Sequence, residues 1–160
     1  MVTQPELHDK DLVLWTQLLA EVLNGEMLTR LRGEHPELRY SHGFVFQQLV
    51  EGPRAVGEVA ENLGVTSQAV SKAARELTSL GYLERTPDPV DARVRRLALT
   101  DRGRAAVEAG RTARAELNRE LAGALGAERV ESAARTLRDA LTARGAMPAV
   151  RARRVPLSRT

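Results

Sequence analysis

Val56-Gly57-Glu58-Val59-Ala60-Glu61-Asn62-Leu63-Gly64-Val65-Thr66-Ser67-Gln68-Ala69-Val70-Ser71-Lys72 is the stretch that decides the fold of this 160-residue chain. Two helices that cross steeply need a small residue where they approach, and Ala60 is that residue. The turn between them needs a residue that tolerates positive φ, and Gly64 supplies it. Val59, Leu63, Val65 and Val70 then fill the wedge, and Thr66 can cap the second helix through its side-chain oxygen. The spacing predicts helices over about 56–63 and 67–80, in helix-turn-helix order. A plain helical hairpin would need only the glycine turn and the apolar spacing.

The outward face of the second helix discriminates between the two. Ser67, Gln68, Ser71, Lys72 and Arg75 project away from Val70, Ala74 and Leu77. Short hydrogen-bonding groups near a helix start can reach base edges, and cations further along can reach phosphates. Glu76 is the one acid on this helix. Beyond Gly81, residues 82–86 and 94–99 read as two strands, the second alternating Arg96 and Ala98 with Leu97 and Leu99. Pro87-Asp88-Pro89-Val90-Asp91-Ala92-Arg93 between them is turn chemistry, so a β-hairpin with a charged tip is expected. Arg93, Arg95 and Arg96 lie at or just past that tip, where an arginine can enter a narrow minor groove. Asp91 is close enough to pair with Arg93 and fix its direction. The alternative is a solvated turn whose local ion pair contributes little.

Outward from this centre the chain reads as helix. A first helix over about 5–32 carries two apolar rows: Leu12, Trp15, Leu19 and Val22, then Leu7, Leu14, Leu18 and Leu28. Two rows on one helix mean two different surfaces. Gly33 and Pro36 are expected to stop it, and a second helix follows over about 41–51. Thr100 is a good N-cap for a long helix to about 125; Gly126 breaks it, and a last helix is expected over about 127–144. Residues 146–160 hold four arginines, two prolines and no acid, and read as a disordered basic tail. The expected organisation is an N-terminal dimerisation helix (1–36), a winged helix-turn-helix DNA-binding domain (37–100), C-terminal dimerisation helices (101–145) and that tail. The fold class is mainly α with a small β-hairpin wing.

In element order and motifs, residues 7–144 resemble the MarR family of transcriptional regulators. Val70-Ser71-Lys72, Leu77, Leu80-Gly81-Tyr82-Leu83 and Arg85 resemble that family's recognition helix and its exit. Asp88-Pro89-Val90-Asp91-Ala92-Arg93, with Leu97-Ala98-Leu99-Thr100 and Gly103, resembles its wing and the start of its next helix. The resemblance implies a homodimer built from the first and last two helices. It places two recognition helices in successive major grooves of double-stranded DNA, about 34 Å apart on a pseudo-palindromic site. It carries Arg93 over as the minor-groove contact, with Asp91 as its orienting partner. Many members have a second basic residue where this chain has Ala92. The DNA-contacting set expected on both grounds is Thr66, Ser67, Gln68, Ser71, Lys72, Arg75, Arg85, Asp91, Arg93 and Arg95.

The resemblance also implies a small aromatic or phenolic ligand between the dimer helices and the DNA lobe. Trp15, His42 and Phe46 are the candidates to line its cleft, or else are core and interface residues. No cofactor is expected. Cysteine is absent, which removes disulfides and thiol sensing, and His8, His35 and His42 lack metal-ligand spacing. No phosphate loop or nucleophile–base pattern suggests an enzyme. No apolar run approaches the roughly 20 residues that cross a bilayer, nor is there a secretory leader, so a cytoplasmic protein is expected. The net charge of +3 decides nothing, since 22 of the 24 cations are arginine and composition alone could supply them. The rival is a winged-helix module that binds another protein; such modules lose the polar and cationic face that residues 67–75 and Arg93 retain here.

Overall fold

The protein was analysed as a computed structural model, which describes residues 11–91 and 93–151. The chain runs α1 (Leu12–Glu34), α2 (Tyr40–Leu49), β1 (Arg54–Ala55), α3 (Val56–Leu63), α4 (Ser67–Ser79), β2 (Leu83–Pro87), β3 (Arg95–Leu99), α5 (Asp101–Leu125), α6 (Ala127–Ala143) and α7 (Met147–Arg151). It is mainly helical, with a three-stranded antiparallel sheet in the order β1-β3-β2.

α1 starts at Leu12 because Asp11 caps it, its carboxylate accepting from Leu14 N–H at 3.0 Å. The expected earlier turn, with Leu7, lies outside the described residues. α1 continues through Gly33, so Pro36 is what ends it: its ring disfavours the helical region for His35, which sits at φ −131°, ψ 68°. α5 is capped as expected, Thr100 Oγ1 accepting from Gly103 N–H at 3.1 Å. The sheet has one strand more than the hairpin, because Arg54 and Ala55 pair with Leu97 and Arg96. β3 is therefore central, and Ala98 is buried where simple alternation predicted a solvent-facing position. At the other end, Met147–Arg151 form a short helix where composition suggested an unstructured tail; residues 152–160 lie outside the described ones.

The core gathers Val45, Phe46 and Leu49 of α2, Val59, Ala60 and Leu63 of α3, Val70, Ala74 and Leu77 of α4, and Leu83, Leu97 and Leu99 of the sheet. Tyr82 is fully buried at its centre, just beyond Gly81, whose φ of 78° lets Tyr82 N–H return to Leu77 O at 2.9 Å. The Tyr82 hydroxyl donates to Glu37 at 3.1 Å and lies 3.1 Å from His35 Nδ1. Arg102 of α5 covers the ring at 4.3 Å and pairs with Glu37. The end of α1, the exit of α4 and the start of α5 thus share one knot. α1 lies along α5, tied by Arg30 to Glu120 at 2.7 Å and to Glu116 at 3.5 Å. No described helix is long and apolar enough to cross a membrane.

Candidate nucleic-acid interface

α3 and α4 meet as the sequence predicts. Gly64 adopts φ 68°, ψ 30°, its N–H reaches Ala60 and Glu61 carbonyls, and Val65 N–H returns to Ala60 O at 3.1 Å. Thr66 Oγ1 accepts from Ala69 N–H at 3.1 Å. Thr66 thus caps α4 through its oxygen, while its exposed hydroxyl keeps a proton to donate. Val70, Ala74 and Leu77 face the core; Ser67, Gln68, Lys72 and Arg75 are exposed, and Ser71 is half-buried. The five outward positions therefore share one face. Glu76 turns to the side of that face, where Arg39 pairs with it and the buried His42 lies 3.8 Å away. The one acid on the helix is paired by Arg39, the residue just before α2, a pairing that sequence reading missed.

The wing is ordered by an acid other than the expected one. Asp91 Oδ1 accepts from the backbone N–H of Arg93 at 3.0 Å, a local turn contact that shapes the tip without holding the guanidinium. Asp88 makes the larger set of bonds: Oδ1 accepts from Val90 N–H at 2.8 Å and Asp91 N–H at 3.1 Å, and Oδ2 pairs with Arg96. Two further backbone bonds, Asp88 N–H to Val94 O and Val94 N–H to Asp91 O, both 2.9 Å, close the loop. The Arg96 guanidinium and then the two amides hold the Asp88 carboxyl down at about 2. Arg85, Arg93 and Arg95 are exposed, and no ion pair among the described residues engages them. α4 and the wing thus each expose polar or cationic side chains.

The three candidate ligand residues do not converge. An apolar cleft of about 140 Å³ opens between α1, α2 and α5, walled by Met27, Leu28, Leu31, Phe44 and Phe46 and rimmed by Arg39, Arg111 and Arg114. Phe46 alone of the three lines it. His42 is 1% exposed and faces Glu76 of α4; burial, then Arg39, pushes its imidazole below the ordinary value, which favours the neutral ring. Trp15 lies twelve residues before Met27 on α1, about 18 Å along the helix at 1.5 Å per residue. Among the described residues no cluster of three or more His, Asp or Glu is placed to hold a metal.

Residues 41–94, from α2 through the wing, match the family model described as MarR family. YusO from Bacillus subtilis superposes with a TM-score of 0.68 at 27% identity, over 81% of this chain and 92% of that one. Residues 41–94 of the chain match the MarR family, and most of the chain is similar to winged-helix structures. A mutant of MepR from S. aureus, solved bound to an oligodeoxyribonucleotide, shares the fold with a TM-score of 0.61 at 21% identity, over 81% and 95% of the two chains. A 54-residue stretch, 34% of the chain, is 43% identical to the LexA repressor of Deinococcus radiodurans. The chain spans only 24% of that curated relative.

Proposed function

We propose that this chain is a sequence-specific double-stranded DNA-binding transcriptional regulator, acting as a homodimer on a pseudo-palindromic operator. The observation that supports the reading is the outward row of α4, Ser67, Gln68, Ser71, Lys72 and Arg75, together with exposed Arg85, Arg93 and Arg95 of the wing and Glu76 paired with Arg39. Polar groups at the start of α4 suit base edges, the cations behind them suit phosphates, and Arg93 at the tip suits the minor groove. The protein–protein alternative would not need this face.

The homodimer reading is supported by what α1 and α6 leave uncovered. Leu12, Trp15, Leu19 and Val22 of α1 and Leu137 and Leu141 of α6 are all exposed, and neither helix has a buried residue. Apolar faces of this kind mark an interface. Similarity to a repressor over 54 residues supports repression as the mode, carried out in the cytoplasm. The apolar cleft with three arginines at its rim supports release by a small aromatic or phenolic anion.

Fluorescence anisotropy against the duplex upstream of the chain's own gene, in a salt series beside a scrambled duplex, tests the reading. Sub-micromolar binding that prefers the first duplex and weakens steeply with salt is expected. Arg75→Ala combined with Arg93→Ala should keep fold and dimer and lower affinity by at least about tenfold. Unchanged affinity would refute the assignment of this face.

A further inference from the structure

Of the three arginines at the wing, Arg93 and Arg95 are exposed, while Arg96 is engaged on several sides. It stands on β3 opposite Ala55 of β1 and Thr86 of β2. Its Nε donates to Asp88 in the wing loop. Its Nη1 donates to Pro53 O at 3.3 Å and to Glu58 Oε2 at 3.3 Å. Glu58 is itself anchored, the same oxygen accepting from Ala55 N–H at 2.7 Å across the first turn of α3. Asp88 is anchored by the amides of Val90 and Asp91, and its side chain is only 8% exposed. One guanidinium therefore joins three segments: the approach to α3, the strand β3 and the loop that carries Arg93.

We infer that Arg96 is a positioning residue for DNA recognition, a clasp that sets the wing's angle against the helix-turn-helix so that Arg93 reaches its groove while α4 occupies the next. The inference rests on the DNA-binding reading above. Its physical basis is the shape of the group. A guanidinium is a planar fork with donors in fixed directions, so binding an acid on each side fixes the relative orientation of the two acids. An isolated surface ion pair contributes little to folding. Arg96 is 28% exposed and bridges elements whose relative placement matters, so its effect is on preorganisation: a wing already set loses less freedom on binding than one that swings. The role also separates Arg96 from its neighbours chemically, since its donors are directed at protein acceptors while those of Arg93 and Arg95 remain for phosphates and bases.

Two measurements on the full chain test this. In the free protein, Arg96→Ala should speed hydrogen exchange in the wing peptide carrying the Val90, Asp91 and Val94 amides, with α3 and α4 exchanging as before. On the duplex that the unaltered chain prefers, Arg93→Ala and Arg96→Ala should each lower affinity about tenfold. The double variant should fall little further, because a contact that is no longer aimed has nothing left to lose. Arg96→Lys, which keeps the charge without the fork, should recover only part. Losses that multiply in the double variant, or an Arg96→Ala protein with unaltered wing exchange and affinity, overturn the clasp while leaving the DNA-binding reading standing. An unaltered chain that prefers no duplex sinks the DNA-binding reading, and the clasp's role with it.

Discussion

The winged lobe and the helices that flank it solve opposite problems. From Leu38 to Val107 the chain closes a core around Tyr82, with every helix and both strands of the hairpin contributing buried side chains to it. α1 and α6 bury none of their residues fully, and Leu12, Leu19 and Val22 stay 54%, 47% and 56% exposed. Buried apolar area stabilises by about 25 cal/mol per Å², so the lobe holds itself together while the flanking helices still have a face to cover. The lobe is a finished unit; the helices still carry an exposed apolar face.

The sharpest way to break this contrast is to truncate one leucine in each region. Leu77→Ala, fully buried between α4 and the sheet, should cost about 2–5 kcal/mol in denaturant melts. Leu137→Ala, 37% exposed on α6, should cost the dilute chain far less. Equal losses at both positions would mean that α6 is already packed within one chain.

Next in size is the face itself. Leu19→Asp places a charge in the exposed row of α1, and light scattering should then report monomers. The melting temperature should also lose its dependence on concentration, a stabilisation of about 2.7 kcal/mol when the chain stands a hundredfold above its dissociation constant. An Asp variant that remains dimeric would locate the interface elsewhere.

Where lobe and flanking helices join, Gly103 matters for a different reason. A Cβ there would sit 2.2 Å from Tyr82 O and 3.0 Å from Leu99 Cδ2. Backbone cannot yield as a flexible side chain does, so Gly103→Ala should destabilise by about 1–3 kcal/mol, read as a lowered denaturation midpoint. A variant as stable as the parent would mean that α5 can shift freely against the lobe.

What the sequence made legible was what local chemistry determines. Gly64 with its left-handed turn, Ala60 at the helix crossing, the Val70–Ala74–Leu77 row and the Thr100 cap are all short-range demands, and each residue stands where the demand falls. What stayed hidden was settled across distance. β1 is two residues long, too short for alternation to show, and exists only because β3 pairs with it. Arg39 and Glu76 are 37 positions apart, and the lone acid on an otherwise cationic helix was the one available hint of a partner. Asp91, two residues from Arg93, is the expected orienting partner and accepts from the Arg93 amide; the bonds of Asp88 were not foreseen, because strand pairing is what brings Arg96 back beside it. Trp15, His42 and Phe46 are expected to line a cleft or else to be core and interface residues; Phe46 walls the cleft while His42 is buried toward α4, a division that local sequence does not encode.

The smallest expected effect separates the wing from the core that carries it. Asp88 holds its carboxyl at about 2, below its ordinary 3.8, chiefly through Arg96 and then through the amides of Val90 and Asp91. A carboxyl whose folded value is depressed adds stability above its unfolded value, and loses it as pH falls through the folded one. Wing order should therefore be intact above about pH 4 and fade toward pH 2, whereas the core around Tyr82 answers to a different carboxyl, Glu37, held low by a backbone hydrogen bond and by Arg102 and Tyr82. Hydrogen exchange of the 88–94 peptide across that window checks it. Asp88→Asn, which keeps the shape and removes the charge, should flatten the dependence and leave the wing equally loose at both ends. A wing that loosens with the same pH profile in Asp88→Asn would mean that Asp88 is not the group whose titration orders the wing.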